Sequence, residues 1–181
     1  MKTESTVKYV LRLALTLLAI TAVVAAALAG VNSITAPAIS ALNAQKTQEA
    51  IELVLPGGGE AVDFPETALV STVYASDNGY AVEVTPGGFD NTITMMVGAD
   101  KAGTVLGISI IKHTETAGLG AVAAAGTPAG ENFRNEFVGA SGSVSVTKDG
   151  GEVEAITGAT ITSRAVCTGV NAALECVAQM G

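Results

Sequence analysis

Hydroxyl side chains are concentrated in one short stretch near the end of the sequence, AITGATITSRAV at residues 155–166. A β-rich segment precedes this stretch and a helical pattern follows it, so a helix is expected to begin here. Thr162 or Ser163 can cap that helix, because a hydroxyl oxygen accepts a hydrogen bond from a free backbone N–H of the first turn. We therefore assign these two hydroxyls to helix capping.

Two further threonines, Thr157 and Thr160, are not needed for capping. Gly158 and Ala159 leave space beside Thr160 because their side chains are absent or small. The N-terminus of a helix offers free N–H groups and a partial positive charge, which suit a phosphate, and Arg164 adds a nearby cation. The stretch therefore permits a phosphate that is esterified to a threonine or docked near one, although an ordinary capping turn accounts for the same residues.

The stretch HTETAGLGA at residues 113–121 is the second candidate site. It leaves a β-rich segment and enters a glycine-rich loop. Gly118 and Gly120 allow the backbone to approach a ligand closely, and Leu119 presents an apolar side chain between them. The alternative is an ordinary loop in which His113, the only histidine, makes ordinary hydrogen bonds at the end of a strand.

Familiar hydrolytic and phosphoryl-transfer motifs are missing from the sequence. It contains no HExxH zinc motif, no Ser-His-Asp arrangement and no P-loop. Its GLG and GGG glycines lack the strand, turn and helix context of a dinucleotide-binding fingerprint. Cys167 and Cys176 lie nine residues apart, on opposite faces of one predicted helix, so they cannot form a disulfide within it. We interpret them as small core residues.

Charge and hydropathy separate the first part of the chain from the rest. Residues 13–31 form an uncharged apolar run of about 19 residues, long enough to cross a membrane as a helix. Basic residues precede this run, which places the N-terminus in the cytoplasm and the remaining chain outside it. A signal peptide cleaved near ALA at 27–29 is the alternative, but the apolar run is longer than is usual in such peptides.

Beyond residue 12, sixteen acidic residues outnumber six basic ones. Nucleic-acid binding needs Lys and Arg against the phosphate backbone, so the composition argues against a nucleic-acid partner.

The sequence predicts four regions: a cytoplasmic N-terminus at 1–12, a transmembrane helix at 13–31, an extracytoplasmic helical connector at 32–68 and a domain at 69–181. Pro37 suits the first turn of a new helix in the connector, and Pro56 with the glycines after it ends that helix. The domain is predicted to be α+β, an antiparallel sheet with helices. Its predicted elements are strands at 69–75, 80–84, 92–97 and 105–112, a helix at 131–138, a hairpin of 144–147 with 152–156, and a final helix at 164–180.

The stretch TGATITSRAV resembles the flavinylation motif S/T-G-A-T-x-S/T of the FMN-binding domain family. This domain occurs in the Rnf G subunit and in the C subunit of sodium-pumping NADH:quinone oxidoreductase. In the family, a flavin transferase joins FMN through a phosphoester to the last threonine of the G-A-T triplet, which corresponds to Thr160. The family segment H-x-E-T-P-G-L-G resembles residues 113–120, and the likeness extends through 87–100 and 31–39, so it covers nearly the whole chain.

This resemblance implies a role for each candidate residue. Thr160 carries the FMN phosphate, and the surrounding turn is shaped by Thr157, Gly158, Ala159 and Thr162. The flavin ring packs on Gly118, Leu119 and Gly120, while Glu115 and Thr116 hydrogen-bond its polar edge. Two positions depart from the family pattern: Ala117 replaces a proline, which makes the loop less stiff, and Glu154 replaces an aspartate in the transferase motif.

The resemblance also implies a function. The chain would be a single-pass flavoprotein of the cell membrane that carries electrons in an Rnf-type ferredoxin:NAD⁺ oxidoreductase coupled to Na⁺ or H⁺ translocation. Its partners would be the other integral subunits of that complex and, during maturation, the flavin transferase. The alternatives are the quinone-reductase C subunit, a stand-alone extracytoplasmic flavin carrier, and a membrane-anchored binding domain without redox activity.

Overall fold

The computed structural model describes residues 3–65 and 67–180 and divides the chain into two units, residues 1–45 and residues 46–181. Helix α1 (Thr3–Val54) begins in the first unit and ends in the second. The second unit also contains five strands and two further helices. These are β1 (Glu60–Val62), β2 (Val70–Ser76), β3 (Gly79–Val84), β4 (Thr94–Ala99), β5 (Val105–Lys112), α2 (Pro128–Asn135) and α3 (Thr160–Met180).

Helix α1 contains the one membrane-spanning candidate found in the described part of the chain. Its most apolar window has a mean hydropathy of 2.4 and none of that window is buried against protein. The hydroxyls of Thr21 and Thr35 donate to backbone carbonyls of the preceding turn, which satisfies these polar groups within the helix. The helix is continuous through Pro37, so the prediction that Pro37 begins a new helix is wrong.

The five strands form one antiparallel sheet in the order β1-β2-β3-β4-β5, so every strand pairs with its neighbour in sequence. Asp77 and Asn78 make the turn between β2 and β3, where Ser76 pairs with Gly79. This local connectivity confirms the predicted α+β class with an antiparallel sheet. The strand of three residues, β1, was not predicted because it is too short to show an alternating pattern.

Apolar side chains cover both faces of the sheet. On one face, α2 and α3 contribute to a large core that includes Phe133, Phe137, Val166 and Val170. On the other face, the end of α1 and the residue after it form a smaller core of Ala50, Ile51, Val54 and Leu55 with Ala81 and Met96 of the sheet. The central strands are therefore buried on both sides, as the dense apolar pattern of β4 requires.

Helix α3 is buried on most of its circumference. Cys167 and Cys176 point in different directions from this helix, yet both are buried in the large core and both are free thiols. Their interpretation as core residues is confirmed.

The region between α2 and α3 differs from the prediction. The expected hairpin of 144–147 with 152–156 does not form; instead Val146 and Val153 make an isolated parallel bridge. Residues Thr147–Asp149 form a 3₁₀ turn that ends at Gly150 in the left-handed conformation. The hairpin prediction is wrong because Lys-Asp-Gly-Gly is compatible with several turn types, and contacts with α3 decide among them here.

Candidate functional site

The turn before α3 brings the Thr160 hydroxyl to the start of a long helix. The Ala159 N–H donates to the Ile156 carbonyl at 2.9 Å, and the Ser163 N–H donates to the Ala159 carbonyl at 3.0 Å as the helix begins. Gly158 has a φ of 76°, and a Cβ there would lie 3.0 Å from Leu119 Cδ2. A glycine is therefore needed for the turn and for the close approach of the 113–121 loop.

The two hydroxyls assigned to capping have other partners, so that assignment is wrong. Helix α3 begins at Thr160, which places Thr162 and Ser163 inside its first turn. The Ser163 hydroxyl donates to the Ala159 carbonyl at 3.0 Å and accepts from the Ile156 N–H at 3.1 Å. These two bonds connect the turn to the helix, whereas the Thr162 hydroxyl donates to Glu115.

Glu115 accepts a hydrogen bond from the Thr162 hydroxyl and connects three segments of the chain. Its Oε2 accepts from Thr162 Oγ1 at 2.5 Å. Its Oε1 accepts from the Phe89 N–H at 2.8 Å and from the Asp90 N–H at 3.4 Å. The side chain is 8% exposed. We call these four residues the Glu115 clasp; it joins the segment before β4, the loop after β5 and α3.

Two glycines leave the space that the Glu115 clasp occupies. A Cβ on Gly88 would lie 2.3 Å from Glu115 Oε1, and a Cβ on Gly120 would lie 2.4 Å from Oε2 and 2.5 Å from Thr162 Oγ1. All three distances are far below van der Waals contact, so a side chain at either position would displace the carboxylate. The absence of side chains at these two glycines makes room for the Glu115 carboxylate, and it also lets a ligand approach the backbone.

The loop after β5 folds back on itself around Thr116. The Thr116 carbonyl accepts from the N–H groups of Leu119 and Ala121 at 3.1 and 3.2 Å. The Leu119 side chain remains 42% exposed although it is apolar. The loop therefore presents an apolar side chain on a backbone whose own hydrogen bonds fix its shape.

Lys148 faces Thr160 from the 3₁₀ turn Thr147–Asp149. Its Nζ donates to Thr160 Oγ1 at 3.1 Å. The next residue, Asp149, accepts two hydrogen bonds of 2.7 Å from the Arg164 guanidinium, one turn further along α3. Arg164 lowers the pKa of Asp149, and Asp149 raises the pKa of Arg164. The cation next to Thr160 is thus Lys148, whereas Arg164 is paired with a carboxylate.

A cavity of about 310 Å³ opens where these segments meet. Its lining combines three large apolar side chains with hydroxyl and ammonium groups, a mixture suited to a ligand that has an aromatic ring and an anionic end. The lining residues are Phe89, Glu115, Thr116, Leu119, Gly120, Lys148, Gly158, Ala159, Thr160, Ile161 and Thr162.

Eight of the ten residues proposed from the sequence line this cavity; Thr157 and Gly118 do not. The structure adds Phe89, Lys148 and Ile161. Phe89 lies in the GGFD stretch that shares the family resemblance, so the sequence could have indicated it as a site residue. No motif in the sequence indicated Lys148.

His113 does not line the cavity. Its Nδ1 is buried and has no hydrogen-bond partner within residues 3–65 and 67–180. The same described residues contain no group of three or more His, Cys, Asp or Glu side chains that could hold a metal ion.

Comparison with known proteins assigns the region around the cavity to a known domain family. The FMN-binding domain family matches residues 88–175, a range that contains every residue lining the cavity. The chemistry of the site agrees with such a ligand: apolar side chains for the faces of a flavin ring, and a hydroxyl and an ammonium for a phosphate.

Two relatives that align over nearly their whole length extend the match beyond this domain. The chain is 35% identical to the G subunit of the Na(+)-translocating ferredoxin:NAD(+) oxidoreductase complex of Acetobacterium woodii, over 93% of this chain and 91% of the relative. It is 33% identical to the G subunit of the ion-translocating oxidoreductase complex of Methanosarcina acetivorans, over 94% and 95% of the two chains. The corresponding protein of Vibrio vulnificus is 38% identical over 61% of this chain and 54% of the relative. The chain therefore belongs to the family of G subunits of ion-translocating oxidoreductase complexes, and it contains their FMN-binding domain.

Proposed function

We propose that this protein carries FMN covalently, through a phosphoester to Thr160, as the membrane-anchored electron-carrying subunit of an Rnf-type ferredoxin:NAD⁺ oxidoreductase. Membership of the family already makes the chain a flavin-binding subunit of an ion-translocating oxidoreductase. The observation that supports the covalent form is the Thr160 hydroxyl, which lines the cavity beside a lysine.

The cavity residues divide into groups that suit the two ends of FMN. Phe89, Leu119 and Ile161 are apolar, line the cavity and are each more than one third exposed, so they offer surfaces that a flavin ring would cover. Thr160 and Lys148 would hold the phosphate. When bound, FMN supplies the electron-accepting and electron-donating chemistry, and the protein residues bind and orient it.

The Glu115 clasp modifies one role implied by the family resemblance. Both carboxylate oxygens of Glu115 already accept hydrogen bonds from the protein. We therefore propose that Glu115 fixes the cavity wall, and that the Thr116 side chain is the better candidate for a hydrogen bond to the polar edge of the ring. The resemblance did not distinguish these two residues.

A covalent link makes physical sense outside the cytoplasm. We propose that the N-terminus is cytoplasmic and that the FMN-binding domain lies outside, where free FMN is dilute and a flavin that dissociated would be lost. A tether makes rebinding intramolecular, with an effective concentration on the order of millimolar or higher. In this proposal a flavin transferase makes the link during maturation.

The apolar part of α1 supports a membrane location. We propose that it crosses the membrane once and contacts the other integral subunits of the complex. One span carries no path for ions or electrons across the bilayer, so these partners complete the translocase. The subunit thus contributes a redox group and has no complete active site of its own.

The attachment site can be tested by coexpressing the full chain with a flavin transferase. We expect intact mass to increase by one FMN phosphoester, and the denatured gel band to fluoresce under ultraviolet light. Thr160→Val should abolish both signals because it removes the acceptor oxygen and keeps the side-chain shape.

Thr168→Val is the matched control, since Thr168 is exposed on α3, lies outside the flavinylation motif and does not line the cavity. It should retain the added mass. Fluorescence that persists in Thr160→Val would refute Thr160 as the attachment point, and an unmodified wild type in the presence of an active transferase would refute the covalent proposal.

A further inference from the structure

Lys148 is the one cationic side chain among the described residues that line the cavity. Its ammonium donates to the hydroxyl oxygen of Thr160 at 3.1 Å. The contact joins residues twelve positions apart and depends on the 3₁₀ turn that replaces the predicted hairpin. Neither the flavinylation motif nor the cavity loop after β5 includes this residue.

A second contact with α3 fixes the position of the 3₁₀ turn Thr147–Asp149, which contains Lys148. Asp149 binds Arg164 through two hydrogen bonds of 2.7 Å, so consecutive residues of the turn contact consecutive turns of the helix. This pairing also neutralises the carboxylate that lies nearest to Lys148 in sequence. The charge of Lys148 is therefore left available for an anion next to Thr160.

An anion at this position needs such a cation because the protein is acidic, with a formal net charge of −8. Once the Thr160 oxygen carries phosphorus, the charged phosphate oxygens lie one bond further out. An ammonium that now contacts Thr160 Oγ1 is within reach of those oxygens. Charge-assisted hydrogen bonds to phosphate are stronger than neutral ones, particularly at the edge of a partly enclosed cavity.

We propose that Lys148 is the phosphate-binding residue of this site, the counter-ion of the FMN phosphate at Thr160, and that the Asp149–Arg164 pair positions it. This inference rests on the proposed function. It assigns phosphate recognition to a residue outside the threonine motif, and it leaves Arg164 a positioning role.

A comparison of two flavins tests this assignment. The full chain is produced in detergent without a transferase, so that Thr160 is unmodified, and is titrated with FMN and with riboflavin, which lacks the phosphate. Quenching of flavin fluorescence measures each Kd. The variants are Lys148→Gln, which removes the charge, Lys148→Arg, which keeps it, and Lys101→Gln, an exposed lysine that does not line the cavity.

We expect Lys148→Gln to weaken FMN binding by roughly three- to thirtyfold at low salt, the range between an exposed ion pair and a charge-assisted hydrogen bond. Riboflavin binding should be unchanged, Lys148→Arg should restore most of the preference for FMN, and Lys101→Gln should match the wild type. Added salt should reduce the difference because the site is partly open to solvent.

An equal loss for both flavins, or an unchanged preference for FMN in Lys148→Gln, would overturn the assignment. Riboflavin binding also reports whether the variant is folded.

Coexpression with the transferase gives a second readout and separates the two proposals. Intact mass should show a lower flavinylated fraction for Lys148→Gln at early times, with Lys101→Gln as the control. Full and equally fast modification of Lys148→Gln would count against Lys148 while leaving Thr160 as the attachment site. An unmodified wild type would instead refute the proposed function.

Discussion

Glu115 shows how one buried carboxylate can organise a binding cavity. It receives two backbone N–H groups from the Phe89–Asp90 segment and one hydroxyl from Thr162. A buried carboxylate is costly unless it is hydrogen-bonded, and these three donors offset that cost. Since Gly88 and Gly120 leave the necessary space, the clasp depends on three separate parts of the sequence.

We expect Glu115→Gln to lower the free energy of unfolding by about 1–3 kcal/mol, because the amide presents a donor where the carboxylate accepted and leaves a buried group unsatisfied. Urea unfolding measures the change. Glu131→Gln is the control, an exposed glutamate on α2 that should differ little from the wild type. If the two variants are equally stable, the clasp contributes nothing measurable.

Local sequence reasoning named most of the residues that line the cavity, but not their hydrogen-bond partners. Thr160, Leu119 and Gly120 lie in short motifs that can be recognised from a few consecutive residues. Lys148 was missed because its role depends on a contact across twelve residues and on a turn that sequence alone misassigned. The partners of Glu115 lie 25 to 47 residues away, which is beyond what a local pattern can reveal.

At the scale of elements, the first turns of α3 are fastened to the 3₁₀ turn before it. The Asp149–Arg164 pair is partly exposed, with side chains 38% and 50% accessible. Exposed ion pairs usually contribute little to stability, so the main effect of the Asp149–Arg164 pair is to fix the position of the 3₁₀ turn. It holds the turn that carries Lys148 at the start of α3.

The pair predicts a specific pH dependence. Arg164 lowers the pKa of Asp149 below its ordinary value of 3.8, so the contribution to stability is present above that value and is lost as the pH falls through the lower, folded-state pKa. The difference in unfolding midpoint between the wild type and Asp149→Asn should be constant near neutral pH and should disappear in acid. Asp77→Asn, in the β2–β3 turn, is the control. A difference that persists unchanged in strong acid would contradict the ion-pair explanation.

The strands were the elements best predicted from sequence. Each pairs with its neighbour along the chain, so the alternation of side chains and the turn residues contain most of the information. The region from Val144 to Ile156 has a similar composition but does not form a hairpin. Its shape is set by tertiary contacts, including Asn171, which exchanges hydrogen bonds of 2.7 and 2.8 Å with the Val144 backbone.

The whole molecule combines an apolar helical unit with an acidic domain that has two cores. The end of α1 and the residue after it belong to the smaller core, within the second unit of the chain. The sequence predicted a membrane helix because length and hydropathy are local properties. It did not predict that residues 50–55 pack on the sheet, because an apolar helical pattern does not identify the surface that it covers.

The buried thiols provide a measure of global unfolding. Burial raises the pKa of Cys167 to about 11, and burial also raises the pKa of Cys176. Thiolates are the reactive form, so we expect almost no alkylation by iodoacetamide at about neutral pH until the domain unfolds. Mass spectrometry after a urea series should show both sites modified over the same transition as the loss of structure.

The sign of the alkaline effect follows from the same shift. The unfolded chain loses its thiol protons near the ordinary pKa of 9.0, before the folded protein does, so stability should fall as the pH rises above that value. Rapid modification of either cysteine in the native protein would contradict its burial.

The Glu115 clasp also bears on the maturation that we propose for this protein. It connects segments 25 to 47 residues apart, and its bonds are all made by the protein itself. The cavity can therefore be complete before any cofactor arrives, and Thr160 has its full surroundings only once the chain has folded. In the maturation that we propose, folding therefore precedes attachment of FMN, and a chain that fails to fold would remain without its covalent cofactor.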